Sequence, residues 1–164
     1  MSIPQSGGGV IEHHDQLAEY LESGCKPQSG WTIGTEHEKF GYCLDKHLPL
    51  PYDGACSIHA MLAGLRDKYE WEPDEEAGNL IGLVRGGANI SLEPGGQLEL
   101  SGATLSYIHE TCDEVNQHLR EVHDIADEIG AGFIGLGAAT ILTHDQMPLM
   151  PKGLYALMDR YMQK

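Results

Sequence analysis

Basic residues are scarce in this sequence: 10 Lys and Arg stand against 25 Asp and Glu, a formal net charge of −15 at pH 7. Bulk charge of that sign works against nucleic acid and anionic membrane surfaces, so neither is expected as a partner. No apolar run approaches the roughly 18 residues that a membrane-spanning helix needs. Cysteine is sparse, and Cys25, Cys43, Cys56 and Cys112 form no C-x-x-C pair and no zinc-like spacing with the nine histidines. With no signal peptide in view, four reduced thiols in a cytoplasmic protein are expected, and the spacing gives no argument for a disulfide. The common catalytic motifs are missing too: there is no G-x-S-x-G, no H-E-x-x-H and no Walker-type loop. Gly135-Leu136-Gly137 is too short for a dinucleotide fingerprint. These absences argue against serine hydrolysis, zinc hydrolysis and P-loop chemistry.

What the sequence does have is acid placed on strands. Positions 90–101 read I-S-L-E-P-G-G-Q-L-E-L-S, with Glu93 and Glu99 on either side of a Pro94-Gly95-Gly96 bend. Leu98 and Leu100 alternate with Gln97, Glu99 and Ser101, the period of two that gives a strand one apolar and one polar face. Pro94 has no N–H for a ladder, so Glu93 is expected to end its strand or sit at a bulge. A second acidic strand, G-T-E-H-E-K-F at 34–40, carries Glu36 and Glu38 two positions apart, on one face and roughly 7 Å from each other. His37 then faces the other way. Glu is depleted in strands, so paired Glu on two of them predicts a carboxylate cluster around a hard cation, with Mg²⁺ the best match for all-oxygen ligands.

The 164 residues suffice for one domain with a core. The polar, Gly-rich segment 1–10 is expected to be disordered, and a short surface helix follows over 12–23. A strand over 31–44 turns at 45–47 and returns over 48–51. Ser57 caps a helix over 58–69 with Ile58, Met61, Leu62 and Leu65 inward, and Trp71-Glu72-Pro73 breaks it. A hairpin of strands 79–84 and 88–92 around Arg85-Gly86-Gly87 leads into the acidic stretch. The longest helix runs from Thr104 or Ser106 to Ile129, with Ile108, Val115, Leu119, Val122 and Ile125 as its core stripe. A short strand over 133–137 and a helix over 154–162 complete the chain. Hairpins with appended helices predict an α+β fold with a mostly antiparallel sheet. Lys152, in the loop before the last helix, is a candidate phosphate contact. That helix reaches Lys164 without a cap, which reads as a truncated protein.

Five strings carry a family resemblance: W-T-I-G-T-E-H-E-K-F-G-Y, P-Y-D-G, S-L-E-P-G-G-Q-L-E-L-S-G-A, H-E-T-C-D-E-V-N and M-P-K-G. In this order they resemble glutamate–cysteine ligase of the plant and proteobacterial type. The resemblance implies the glutamine-synthetase-like ligase fold, an antiparallel half-barrel over the active site with helices on its outer face. Residues 11–164 would be the N-terminal part of the catalytic domain. It implies ATP-dependent joining of the L-glutamate γ-carboxylate to the amine of L-cysteine through a γ-glutamyl phosphate, the first step towards glutathione. Mg²⁺ would be held by Glu36, Glu38, Glu93 and Glu99, with Lys152 and Gln97 as substrate or nucleotide contacts.

Two departures stand out. Members of the family are much longer, and where their string reads M-P-K-G-R-Y this chain has Leu154. The competing readings are a related ligase with another amine acceptor and a truncated, non-catalytic paralogue that acts as a binding module. A half-barrel cut after its first strands leaves an unpaired edge and an uncovered apolar face, so the isolated chain is expected to associate or to be poorly stable, with little activity of its own.

Overall fold

The computed structural model describes residues 9–139 and 142–162. The segment expected to be disordered therefore lies outside the described residues, apart from exposed Gly9 and Val10. Among the described residues ten α-helices and strands follow one another: α1 (Asp15–Glu22), β1 (Glu36–Cys43), α2 (Ile58–Tyr69), β2 (Glu72–Glu76), β3 (Asn79–Arg85), β4 (Ala88–Glu93), β5 (Gln97–Ser101), α3 (Ile108–Ile129), β6 (Ala131–Ile134) and α4 (Gly153–Met162). The strands form one open sheet in the order β2-β3-β4-β5-β1-β6, and every neighbouring pair is antiparallel. The α+β architecture with a partial, antiparallel sheet agrees with the pattern in the sequence. Among the described residues no helix is long and apolar enough to cross a membrane.

The core forms where the apolar parity of the strands meets α2 and α3. Ile58, Met61, Leu62 and Leu65 of α2 are fully buried, and Ser57 caps the helix by accepting from the Ala60 N–H at 3.0 Å. Burying each such side chain stabilises the fold by about 1.5–3 kcal/mol. Facing them are Leu83, Ile90, Leu92, Leu98 and Leu100 from β3, β4 and β5, with Val122 and Ile125 from α3. The two helices touch where α2 has Gly64, since a Cβ there would lie 2.7 Å from the Ile125 side chain. The β3–β4 turn places Gly86 and Gly87 at φ 59° and 89°, the left-handed conformations that a two-residue hairpin needs.

Four expectations are corrected. The 31–44 strand begins only at Glu36, preceded by a single bridge between Ile33 and Leu105. The return over 48–51 reduces to one bridge, Tyr42 to Pro49. The stretch after Trp71, read as a break, is strand β2: Glu-Pro-Asp-Glu-Glu pairs with β3 through a bulge at Asp74/Glu75. Proline and dense negative charge suit it to a sheet edge, where they discourage further pairing. Finally, Ile108 and Leu119 are exposed, while Thr111, His118 and Glu121 join Val122 and Ile125 on the buried face of α3. The inward surface there is polar. Glu121 accepts from the Trp71 indole at 3.0 Å and from Arg85 at 2.9 and 3.0 Å, and His118 lies edge-on to His37 of β1.

Candidate functional site

Register places the acids. In the β1–β5 ladder Glu38 stands opposite Glu99 and Glu36 opposite Ser101, and in the β4–β5 ladder Glu93 stands opposite Gln97 and Ser91 opposite Glu99. Directly opposed residues share a face. Hence Glu36, Glu38, Ser91, Glu93, Gln97, Glu99 and Ser101 all project from the side of the sheet away from Leu98 and Leu100. Opposed side chains on adjacent antiparallel strands have Cβ atoms about 4.5–5.5 Å apart, so two anionic positions are in near contact at Glu38 and Glu99.

The four acids occupy unequal environments. Glu36 and Glu38 are exposed and Glu93 is half-buried, while Glu99 is 3% exposed. A buried carboxylate needs partners, and Glu99 has one on each oxygen: Ser101 Oγ donates to Oε1 and Ser91 Oγ to Oε2, both at 3.1 Å. Burial pushes the Glu93 carboxyl above its usual range, as do its hydrogen bond to Glu99 and the charges of Glu99 and Glu38. Lys152 opposes that rise. Crowded negative charge makes a carboxyl harder to ionise, the response of a site short of positive charge. The donor set is all oxygen and suits a hard cation. Among the described residues, however, no three His, Cys, Asp or Glu side chains stand in position to hold a metal ion.

Pro94-Gly95-Gly96 makes the tight bend between β4 and β5. Gly95 and Gly96 both have φ 76°, and a Cβ on Gly95 would meet the Met147 methyl at 2.1 Å. This bend lets Glu93 and Gln97 pair directly. Lys152 is not on an open loop. It is buried, donates to the Leu92 carbonyl at 3.0 Å, and its Nζ lies 5.1 Å from the centre of the Tyr155 ring. The Tyr155 hydroxyl donates to the same carbonyl. Burial lowers the Lys152 pKa against the opposing pull of Glu93 and Glu99. Gln97 is half-buried and opens onto a groove of about 610 Å³ lined also by Phe40, Met147, Met150, Tyr155 and Met158. Phe40 continues the parity of Glu36 and Glu38, so the groove runs on from the acidic face. A smaller pocket of about 250 Å³ at the β1–β6 end has no acid among its described lining residues.

Three supporting residues were not singled out from the sequence. Ser91 and Ser101 clamp Glu99, and their parity with it was the available signal. Tyr155 joins Lys152 on Leu92 O across more than 60 positions, and no local pattern announces that contact. On the opposite face Lys39 is 2% exposed, with its ammonium 3.0 Å from His37 Nδ1 and donating to His37 O at 2.9 Å. Burial holds its pKa down at about 8.

Residues 32–164 match the family described as glutamate-cysteine ligase family 2 (GCS2). The chain is similar to the chloroplastic glutamate–cysteine ligase A of Oryza sativa subsp. japonica, at 48% identity over 150 residues, 92% of this chain and 30% of that one. The chloroplastic glutamate–cysteine ligase of Arabidopsis thaliana is 47% identical over 150 residues, 92% of this chain and 28% of its own. That of Medicago truncatula is 47% identical over 148 residues, 90% of this chain and 28% of its own. The chain thus spans less than a third of the length of these relatives. Their names also overturn the cytoplasmic expectation, since they place the relatives in the chloroplast. The chain belongs to glutamate–cysteine ligase family 2.

Proposed function

We propose that this chain provides the acidic sheet of an ATP-dependent glutamate–cysteine ligase, which joins the γ-carboxylate of glutamate to the amine of cysteine on the route to glutathione. The observation that carries the reading is the register that gathers Glu36, Glu38, Glu93 and Glu99 on one face, in a chain of this family. These four would hold Mg²⁺. When bound, the ion supplies positive charge against the phosphates of ATP, where phosphoryl transfer concentrates negative charge. The chain's own residues do the positioning. Ser91 and Ser101 fix both oxygens of Glu99, while Lys152 and Tyr155 fix Leu92, the residue before Glu93. Glu36 and Glu38, both exposed, would supply the outer carboxylates of the set. The groove at Gln97 offers space beside the acids for a substrate or nucleotide.

Leu154 favours a second reading, a non-catalytic paralogue: it is 53% exposed at the start of α4, where the family string carries Arg. The test is ADP release by the intact protein with ATP, Mg²⁺, glutamate and cysteine, with the product identified by mass. Release that requires both amino acids and yields γ-glutamylcysteine is expected. Release with another amine in place of cysteine would assign a different acceptor, and no turnover with any amine would favour the paralogue.

A further inference from the structure

We propose that Cys43 and Cys56 are a modification site, a thiol pair that closes to a reversible intramolecular disulfide by exchange with a low-molecular-weight disulfide. The proposal is independent of the ligase reading. All four cysteines are free thiols, and Cys25 and Cys112 are exposed. Cys43 and Cys56 instead lie with their sulfurs 2.8 Å apart, within a small movement of the roughly 2.05 Å of a bonded pair. Cys43 Sγ also points to the Cys56 carbonyl at 3.7 Å, and Cys56 Sγ to the Gly130 carbonyl at 3.5 Å.

Ordered backbone brings both sulfurs to this place. Cys43 ends β1 and is paired with Ala131 of β6. Cys56 immediately precedes Ser57, the cap of α2. The loop between them is tied down by the Cys43 N–H to Leu48 O at 2.9 Å, the His47 N–H to Cys43 O at 2.8 Å and the Leu50 N–H to Gly41 O at 3.1 Å. Gly130 is the left-handed cap of α3. The pair therefore sits where β1, α2, α3 and β6 meet. Both thiols are only half-buried, which leaves them open to a small reagent.

The exchange balances without a further reactant. Cys43, as thiolate, attacks one sulfur of a disulfide such as oxidised glutathione, which breaks its S–S bond, forms a mixed disulfide and expels one thiolate. Cys56 gives up its proton to solvent and attacks the Cys43 sulfur, which expels the second thiolate. Two protein thiols are oxidised and one small disulfide is reduced to two thiols. Burial, the hydrogen bond shared with Cys43 and the neighbouring sulfur push the Cys56 thiol up to about 12. Closure ties the end of β1 to the entry of α2 and shortens the free loop of the unfolded chain. Glu36 and Glu38 lie at the other end of β1, so stability should change and the response to Mg²⁺ should not.

The test is a non-reducing peptide map after incubation with oxidised glutathione, followed by thermal melts with and without dithiothreitol. A cross-linked peptide joining Cys43 to Cys56, with the mass of two hydrogens lost, is expected, while Cys25 and Cys112 carry glutathione. The melting temperature should rise by roughly 5–10 °C and return on reduction. Cys43→Ser should lose cross-link and shift together, and Cys25→Ser should lose neither. Stable glutathione on Cys43 or Cys56, or both thiols still open to iodoacetamide after oxidation, would overturn the proposal. The wild-type map decides this even if Cys43→Ser folds poorly.

Discussion

Glu38 of β1 and Glu99 of β5 stand directly opposite one another on adjacent antiparallel strands, with Ser91 of β4 on the far side of Glu99. Like charges at directly opposed positions destabilise a sheet. Without divalent cation, Glu38→Gln is therefore expected to raise stability by about 0.2–1 kcal/mol. Urea unfolding of the variant and the wild type in chelator measures it, and a loss of stability would mean that Glu38 already has a compensating partner.

His118 gives the clearest pH prediction. It is 2% exposed, and neither ring nitrogen has a hydrogen-bond partner. Burial first, then Lys39, His37 and Arg85, hold its pKa down at about 3 against an ordinary 6.5. A lowered pKa means that the stability it contributes is fully present above pH 6.5 and is lost as pH falls towards 3. Over that window the loss is about 4 kcal/mol, at roughly 1.4 kcal/mol per pH unit. His118→Leu should flatten this part of the stability curve, and an unchanged slope would place the acid sensitivity elsewhere.

How far the sequence reached is visible at these two positions. The parity of Glu36, Glu38, Gln97 and Glu99 is a local property of extended chain, so the shared face could be read directly. The pairing of β1 with β5 across some sixty positions was an inference from hairpin order, and the register agrees with it. The buried polar face of α3 could not be read that way. A helical stripe marks apolar residues, and Ile108 and Leu119 satisfied it; what turned His118 and Glu121 inward were His37, Trp71 and Arg85, all remote in sequence. For the same reason Glu-Pro-Asp-Glu-Glu looked like loop until Asn79–Arg85 offered it an edge. Lys152 was read as a phosphate contact on a loop, and its bond to the Leu92 carbonyl, 60 positions away, had no local signal.

Lys152 and Tyr155 share the Leu92 carbonyl, so each should be worth a measurable amount. Lys152→Met keeps the stem and removes the donor and the charge, and should cost about 1–3 kcal/mol of stability. It should also raise the Glu93 pKa further, because Lys152 is the cation that opposes the rise. Urea unfolding and carboxyl titration by NMR check the two parts. A stability change with no shift at Glu93 would limit Lys152 to a structural role.

Leu154 is exposed, so an Arg there meets no packing obstacle. If this turn approaches substrate, Leu154→Arg in the intact protein should lower the KM for ATP or glutamate, since a charge-assisted contact contributes about 1.5–3 kcal/mol. Unchanged values for both would mean that the cation comes from elsewhere.

The most direct measurement of the acidic site is a set of thermal melts with and without Mg²⁺ on the wild type, Glu99→Gln and Glu75→Gln. Glu75 is exposed on β2, outside the acidic face. An ion that binds the folded chain alone stabilises it by about 2.7 kcal/mol at a hundredfold excess over its Kd. The wild type and Glu75→Gln should show that gain, and Glu99→Gln should lose most of it. Equal Mg²⁺ shifts in all three proteins would mean that the cation acts through bulk charge and that these four glutamates are not its site.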